Sequence, residues 1–180
     1  MPPEAVLLFV DSTILRMYPP LRSAWSWRGQ QRQVRITGEN AKRVIFGAVN
    51  LRTGHRVLLR RQRATQADFQ AFLAQLHRRY PGRPVWLLLD QASFHTAPKS
   101  QAMVKRFGMV CVWLPKQTPK LNAMDHLWRA GKQKVSANRQ YPSIDAHARR
   151  FEAWIMSLTN RRALRKAGIL SANYWLKRYL

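Results

Sequence analysis

Cysteine and long apolar runs are both scarce in this sequence of 180 residues. Cys111 is the only cysteine, so an internal disulfide is excluded and a zinc finger lacks the ligands it needs. No apolar run approaches the length that crosses a bilayer. The first ten residues carry no charged segment ahead of their hydrophobic stretch, as a secretory signal would. We therefore expect a cytoplasmic protein in which Cys111 is a buried structural thiol.

Acidic residues are the other shortage. Eight Asp and Glu stand against 32 Lys and Arg, which gives a formal net charge of +24. Because 46% of the residues are hydrophobic, the chain is predicted to fold and is not a disordered basic tail. Such a charge surplus favours a polyanionic partner, since binding releases counterions. A ribosomal-type structural protein is the alternative, and the lack of a separate basic amphipathic helix disfavours a membrane surface.

The apolar runs are short and bounded by turn residues, which predicts an α/β domain. The first run is expected to form a central strand that continues past Asp11. The order of elements indicates a mixed sheet of about five strands with helices on both faces. Strands are predicted at 5–15, 34–37, 43–51, 55–59, 85–90 and 109–114, and helices after Thr65, at 98–107, from 123, after Ser143, and in two pieces of 160–180 broken at Gly168.

Three of the eight acids lack a simple structural explanation. Asp11 and Asp90 each follow an apolar strand core, where an unpaired carboxylate is costly. Two such charges at one sheet edge repel each other unless a cation lies between them. Asp125, considered by itself, has a simple explanation, because Asn122 and Asp125 could form a variant of the capping box at the start of a helix. Together the three predict a carboxylate cluster that binds Mg²⁺ or Mn²⁺.

Two motifs carry a family resemblance. DQASFH (90–95) follows a strand, and LPKQTPKLNAMDHLW (114–128) ends on a helix start, with 34 residues between Asp90 and Asp125. A third block, LLFVDSTILRMYPPLRSAWSWRGQ (7–30), contains Asp11. These residues resemble the mariner-type superfamily of DDE/DDD transposases, in its bacterial insertion-sequence branch. The sequence departs from the usual pattern at Ser12, where Glu is common, and at Asp125, where the last motif usually has Glu.

The resemblance implies a ribonuclease-H-like fold and Mg²⁺-dependent DNA cleavage and 3′-OH strand transfer. Asp11, Asp90 and Asp125 become the catalytic metal ligands, holding two Mg²⁺ or Mn²⁺ ions when DNA is bound. The implied partners are transposon ends and target DNA in the bacterial nucleoid, with a homodimer as the active form. Two alternatives stay open: a non-catalytic DNA-binding remnant, and a ribonuclease-H-like nuclease that cuts without joining.

The domain organisation is expected to be simple. Residues 1–180 form one catalytic domain, with a basic helical C-terminal segment at 144–180. Relatives carry a helix-turn-helix module ahead of this domain, and only ten residues precede Asp11 here. We therefore expect either a separate helix-turn-helix chain or a remnant.

Further residues are candidates for supporting the site. His95 either contacts a phosphate or metal-bound water or closes the loop after its strand, and Asn122 is divided between helix cap and site support. Trp25 and Trp27 either pin their loop, which we favour, or stack on unpaired bases. Six basic residues are candidates for positioning DNA phosphates: Arg28, Arg32, Lys116, Lys120, Arg129 and Lys132.

Overall fold

A mixed five-stranded sheet forms the centre of the computed structural model, which describes residues 4–31, 33–116 and 118–176. The strand order is β3-β2-β1-β4-β5. β2 pairs antiparallel with β1 and β3, whereas β4 is parallel to β1 and β5. The predicted sheet and its central first strand are confirmed. The strands are β1 (Val6–Arg16), β2 (Lys42–Asn50), β3 (Arg56–Arg61), β4 (Val85–Leu89) and β5 (Met109–Trp113).

Helices cover both faces of the sheet, as predicted. Side chains alternate between the faces of a strand, so Leu8 and Val10 pack with the core under α1 and α3, while Leu7 and Phe9 pack with the core under α4 and α5. Among the described residues, no helix is both long and apolar enough to span a bilayer. The helices are α1 (Gln66–Arg79), α2 (Ser93–Thr96), α3 (Pro98–Arg106), α4 (Ala123–Gly131), α5 (Ile144–Ser157) and α6 (Asn160–Lys166).

Helix α1 begins at the predicted capping box. The Thr65 hydroxyl accepts a hydrogen bond from the Asp68 backbone N–H, and the Asp68 carboxylate accepts one from the Thr65 N–H, both at 3.2 Å. Asp replaces the more usual Glu and still reaches the cap. The structure therefore accounts for Asp68 without a catalytic role.

Three predictions about local structure need correction. No strand forms at 34–37, which lies in the loop between β1 and β2 with most of its residues exposed. Cys111 is only partly buried, since it lies on the edge strand β5. Past Gly168, which has a φ of 78°, residues 169–173 form turns and a bend where the second helical piece was predicted to begin. Residues 175–176 adopt 3-10 conformation, and the remainder of the predicted piece lies outside the described part of the chain.

The close approach of α4 to the sheet depends on Gly47 in β2. Gly47 is the pairing partner of Asp11 in β1. A Cβ atom at Gly47 would lie 2.5 Å from two ring carbons of Trp128 and 2.6 Å from the terminal methyl of Met124. Both side chains are fully buried, so neither can move aside without disturbing the core. The missing side chain thus allows α4 to lie directly over the strands that carry Asp11.

We predict that Gly47→Ala destabilises the protein by about 1–3 kcal/mol, the usual cost of overpacking a core. Urea unfolding of the single variants and of Gly47→Ala/Trp128→Phe measures the effect. The smaller ring of Phe lacks the carbons that meet the new methyl group. The double variant should therefore be less destabilised than the sum of the two single variants. A Gly47→Ala protein as stable as the wild type would contradict this account of the packing.

Candidate active site

Asp11 and Asp90 lie side by side because of the register of two parallel strands. β1 and β4 pair from Val6 with Val85 to Phe9 with Leu88. Two residues further along the same register, Asp11 stands next to Asp90 on strands about 5 Å apart. The alternation that directs Leu7 and Phe9 towards α4 also directs Asp11 to that face of the sheet. The register therefore brings the two aspartates to one place on one face.

Asp125 is brought to the same place by the start of α4. The buried Asn122 side chain caps this helix, and its Oδ1 accepts a hydrogen bond from the Met124 N–H at 3.0 Å. Its Nδ2 donates to the Val10 carbonyl at 2.9 Å, the residue just before Asp11. Asn122 is thus both a helix cap and a support of the site. The capping box that was the alternative explanation of Asp125 does not form, and the Asp125 carboxylate pairs with Arg129.

All three aspartates line one cavity at the carboxyl edge of β1 and β4. Its volume is about 280 Å³, and the loop before α4 forms part of its wall. Within the described residues, no group of three Asp, Glu, His or Cys side chains is already arranged to hold a metal ion. Each aspartate instead has another partner. The other lining residues are Ser12, Leu114, Pro115, Thr118, Pro119 and Asn122.

Asp90 is held by His95. The His95 Nδ1–H donates to the Asp90 Oδ1 at 2.8 Å, and this hydrogen bond, opposed in part by burial, lowers the pKa of the Asp90 carboxyl. The imidazole is 1% exposed and packs edge-on against two aromatic rings. The distance between ring centroids is 4.5 Å to Phe69 and 4.4 Å to Phe94. Because the ring is buried behind Asp90, the structure supports its loop-closing role. The burial of His95 disfavours the other interpretation, in which the ring contacts a phosphate or a metal-bound water directly.

Asp125 and Asp11 face two basic residues of α4 and the turn after it. Arg129 pairs with the Asp125 carboxylate at 2.7 Å, one helical turn away. Lys132 begins a π-helical turn (Lys132–Ser136), a feature that is frequent at functional sites. Burial lowers the pKa of Lys132, and the attraction of Asp125 and Asp11 opposes that shift. The two cations thus take up part of the negative charge.

Asp11 is the least compensated of the three. Burial raises the pKa of its carboxyl from 3.8 to about 7, the Ser12 N–H counteracts this with a hydrogen bond at 2.8 Å, and the charges of Asp90 and Asp125 add to the rise. A raised carboxyl pKa between two other carboxylates signals a site that is short of positive charge. Hard carboxylate oxygens are the donors that Mg²⁺ and Mn²⁺ prefer. The donor set therefore fits such an ion.

The candidate DNA-binding cations are placed differently. Lys116 and Lys120 are exposed and adjoin the cavity-lining residues Pro115 and Pro119. Arg28 is exposed in the loop between β1 and β2 and is not one of the residues that line the cavity. Arg32 lies outside the described residues.

The prediction that Trp25 and Trp27 pin their loop is wrong. The two side chains are 101% and 82% exposed. Asn138 ties the loop down instead: its side chain accepts from the Arg22 N–H and donates to the Arg22 carbonyl, both at 2.8 Å. Loop anchoring by a polar residue 116 positions away leaves no trace in local sequence. The alternative, stacking on unpaired bases, stays a prediction.

Sequence reasoning missed several contributors to the site. Ser12 and Thr118 line the cavity, and Arg129 was predicted to bind phosphate although it pairs with Asp125. The spacing of Asp125 and Arg129, four apart on a helix, is a signal that could have revealed this pair. Gly47 carries no such signal, because its role depends on the packing of α4.

The mixed sheet with helices on both faces and a carboxylate-lined cavity at its edge is the architecture of a ribonuclease-H-like domain. The family model described as DDE superfamily endonuclease matches residues 6–147. That match covers most of the chain, including all three aspartates, and the chain belongs to this family.

Known relatives agree with this assignment. The chain is 25% identical over 145 residues to the insertion element IS630 uncharacterized 39 kDa protein of Shigella sonnei, covering 78% of this chain and 42% of that protein. It also resembles the Mos1 transposase paired-end complex with left transposon end, with a TM-score of 0.71, 17% identity and coverage of 93% and 53%. For the catalytic domain of Mos1 mariner transposase the TM-score is 0.66 and the identity 15%, with coverage of 93% of this chain and 78% of that domain. The chain thus spans about half the length of the first two.

We predict that Asp11→Asn stabilises the metal-free protein, and more so as the pH rises. The folded state favours the protonated Asp11 carboxyl, so the contribution of Asp11 to stability is largest below the unfolded pKa near 3.8 and falls as the pH rises to the folded pKa of about 7. The slope is at most about 1.4 kcal/mol per pH unit. Urea unfolding of both proteins in a chelator, at pH 4 and pH 8, measures the difference.

Asp145→Asn is the matched control. Its hydrogen bond with Arg43 lowers the pKa of the Asp145 carboxyl, so this pair stabilises the protein above the unfolded pKa and its contribution is lost as the pH falls. The control variant should therefore be destabilised at pH 8, the opposite sign from Asp11→Asn. An Asp11→Asn protein that is less stable than the wild type at pH 8 would contradict the raised pKa.

Proposed function

We propose that this chain is the catalytic part of an insertion-sequence transposase, which cuts DNA strands with Mg²⁺ or Mn²⁺ and joins the freed 3′-hydroxyl to target DNA. The observation that carries the proposal is the convergence of Asp11, Asp90 and Asp125 on one cavity. They come from two strands and a helix that are far apart in sequence. Family membership gives this cavity its chemical context, and the charge of +24 suits a polyanionic substrate.

Asp11, Asp90 and Asp125 would together hold the metal, two ions when DNA is bound. Bound metal supplies Lewis-acid stabilisation of an in-line displacement at phosphorus. His95 fixes the orientation of the Asp90 carboxylate through its Nδ1–H, as outer hydrogen-bond partners of metal ligands usually do. Water is the nucleophile for cutting, and the 3′-hydroxyl for joining, so no protein nucleophile is required.

The chain's own cations position the DNA. Lys116 and Lys120 are exposed beside the cavity, where they would contact phosphates on either side of the cleaved one. Lys132 lies close enough to Asp11 and Asp125 to be attracted by both. It therefore would neutralise charge between the carboxylates and a phosphate. Trp25 and Trp27 are exposed enough to stack on unpaired bases.

Partners follow by analogy with the Mos1 structures, which include a paired-end complex with left transposon end and paired-end complexes with Mg and with Mn. We infer that this chain also binds transposon ends and target DNA and acts as a homodimer. A separate helix-turn-helix chain stays part of the proposal. Since the match covers 42% of the Shigella relative, the activity of a whole transposase is proposed for this chain and is tested by the experiment that follows.

We predict Mg²⁺-dependent nicking of element-end duplexes and joining of their 3′ ends to a second duplex. Asp11→Ala, Asp90→Ala and Asp125→Ala should each lose nicking while they keep DNA binding, because phosphate contacts by Lys and Arg supply the affinity. Gel assays of cutting and joining, beside a binding titration, measure both properties.

Glu39→Gln is the control, since this exposed acid lies in a loop outside the cavity and its variant should cut normally. Nicking that survives the aspartate substitutions would refute the proposed site. Cutting without any joined product would reduce the proposal to a nuclease.

A further inference from the structure

A second surface lies apart from the aspartates, in a groove between the end of α4, α5 and α6, here called the α6 groove. Its volume is about 570 Å³, twice that of the aspartate cavity. Trp154 and Leu158 of α5 and its C-terminal end contribute its apolar lining. None of the described residues that line it is acidic. Its four charged lining residues are Lys134, Arg162, Arg165 and Lys166.

In the part of the chain that the structure describes, no carboxylate balances these four cations. All four are exposed, and within the described residues none has an Asp or Glu oxygen within 4.0 Å, unlike Arg43, Arg61 and Arg129 elsewhere on the surface. Lys166 instead lies over the ring of Trp154, at 5.7 Å from its centre, a weak substitute for a counter-charge. Four like charges around one concave surface repel one another, so an anion bound there relieves that repulsion.

The α6 groove is separate from the aspartate cavity, and the two share no lining residue. Helix α4 contributes Asp125, in its first turn, to the cavity and Ala130, near its other end, to the groove. The groove therefore extends neither the carboxylate site nor its wall. A ligand there would meet the protein beyond the point of cleavage.

The composition of the groove indicates the class of its ligand. Flexible, exposed Lys and Arg side chains contact phosphate oxygens without reading base sequence. Several of them along one groove suit a row of phosphates better than a single small anion. We propose that the α6 groove binds the backbone of duplex DNA outside the segment held at the aspartates. The inference rests on the proposed function in taking DNA as the partner.

Salt dependence of DNA binding tests this proposal. In the full chain, the triple variant Arg162→Gln, Arg165→Gln, Lys166→Gln removes three groove charges. Each lost phosphate contact lowers the slope of log affinity against log salt by about 0.9, so a 40-base-pair duplex should show a slope smaller by about 2–3. Nicking at saturating DNA should match the wild type, because no aspartate or cavity residue is changed.

The matched control removes three exposed cations from α3, on the opposite face of the sheet: Lys99→Gln, Lys105→Gln and Arg106→Gln. Its net charge equals that of the groove variant, so a general charge effect would change both slopes equally. We expect the α3 variant to change the slope by less than about 1.

Equal slopes for the two triple variants, or an unchanged slope for the groove variant, would overturn the proposal. Binding of polyglutamate, an acidic polypeptide, is measured for the same variants. If the groove variant loses polyglutamate binding but keeps DNA binding unchanged, the proposal is overturned and the groove is assigned to an acidic protein. Thermal unfolding checks that each variant folds. If the groove triple variant does not fold, the single variant Arg165→Glu is used in its place. Failure of nicking in the wild type would count against the proposed function only, since the slopes are measured without cleavage.

Discussion

The candidate site depends on one buried side chain that joins a helix to the central strand. Asn122 donates from Nδ2 to the carbonyl of Val10 and accepts at Oδ1 from the Met124 N–H. These two hydrogen bonds fix the first turn of α4, which carries Asp125, against the strand residue that precedes Asp11. Gly47 then lets the helix lie directly on the sheet, because no Cβ stands in the way of Trp128. A buried amide that lost either partner would leave a polar group unpaired at a cost of about 1–3 kcal/mol.

The electrostatics of the cavity follow from bringing three carboxylates together. Each is compensated in a different way: Asp90 by His95, Asp125 by Arg129, and Asp11 by protonation, with a pKa of about 7. Lys132 adds a cation near the last two. Because a divalent ion would replace these weaker compensations, metal affinity and the stability of the metal-free protein are coupled in the same residues. The scarcity of acids elsewhere in the chain makes this concentration at one sheet edge more informative.

Much of the fold was predictable from local pattern, and the site only in part. Strand-end carboxylates identified Asp11 and Asp90, and Thr65 with Asp68 marked a helix start. The alternation of Leu7 and Phe9 with Asp11 also held the information that Asp11 faces α4, although pattern alone could not say which helix covers that face. The anchoring of the loop by Asn138 and the grouping of charges in the α6 groove were beyond prediction, since both result from contacts between segments distant in the chain. The strand expected at 34–37 does not form: most of that segment is exposed in a loop, without the burial that a strand of the sheet has.

The most direct test of the central claim measures Mn²⁺ affinity after the link from Asn122 to Val10 is cut. Asn122→Ser keeps a good helix cap but cannot reach the Val10 carbonyl. We expect Mn²⁺ binding, measured by electron paramagnetic resonance, to weaken by about 10–100-fold, as for other residues that orient metal ligands. Thr159→Ala, which removes the side-chain cap of α6, controls for a general loss of stability and should bind Mn²⁺ like the wild type. An Asn122→Ser protein that binds Mn²⁺ with wild-type affinity would contradict the claim that this link assembles the site.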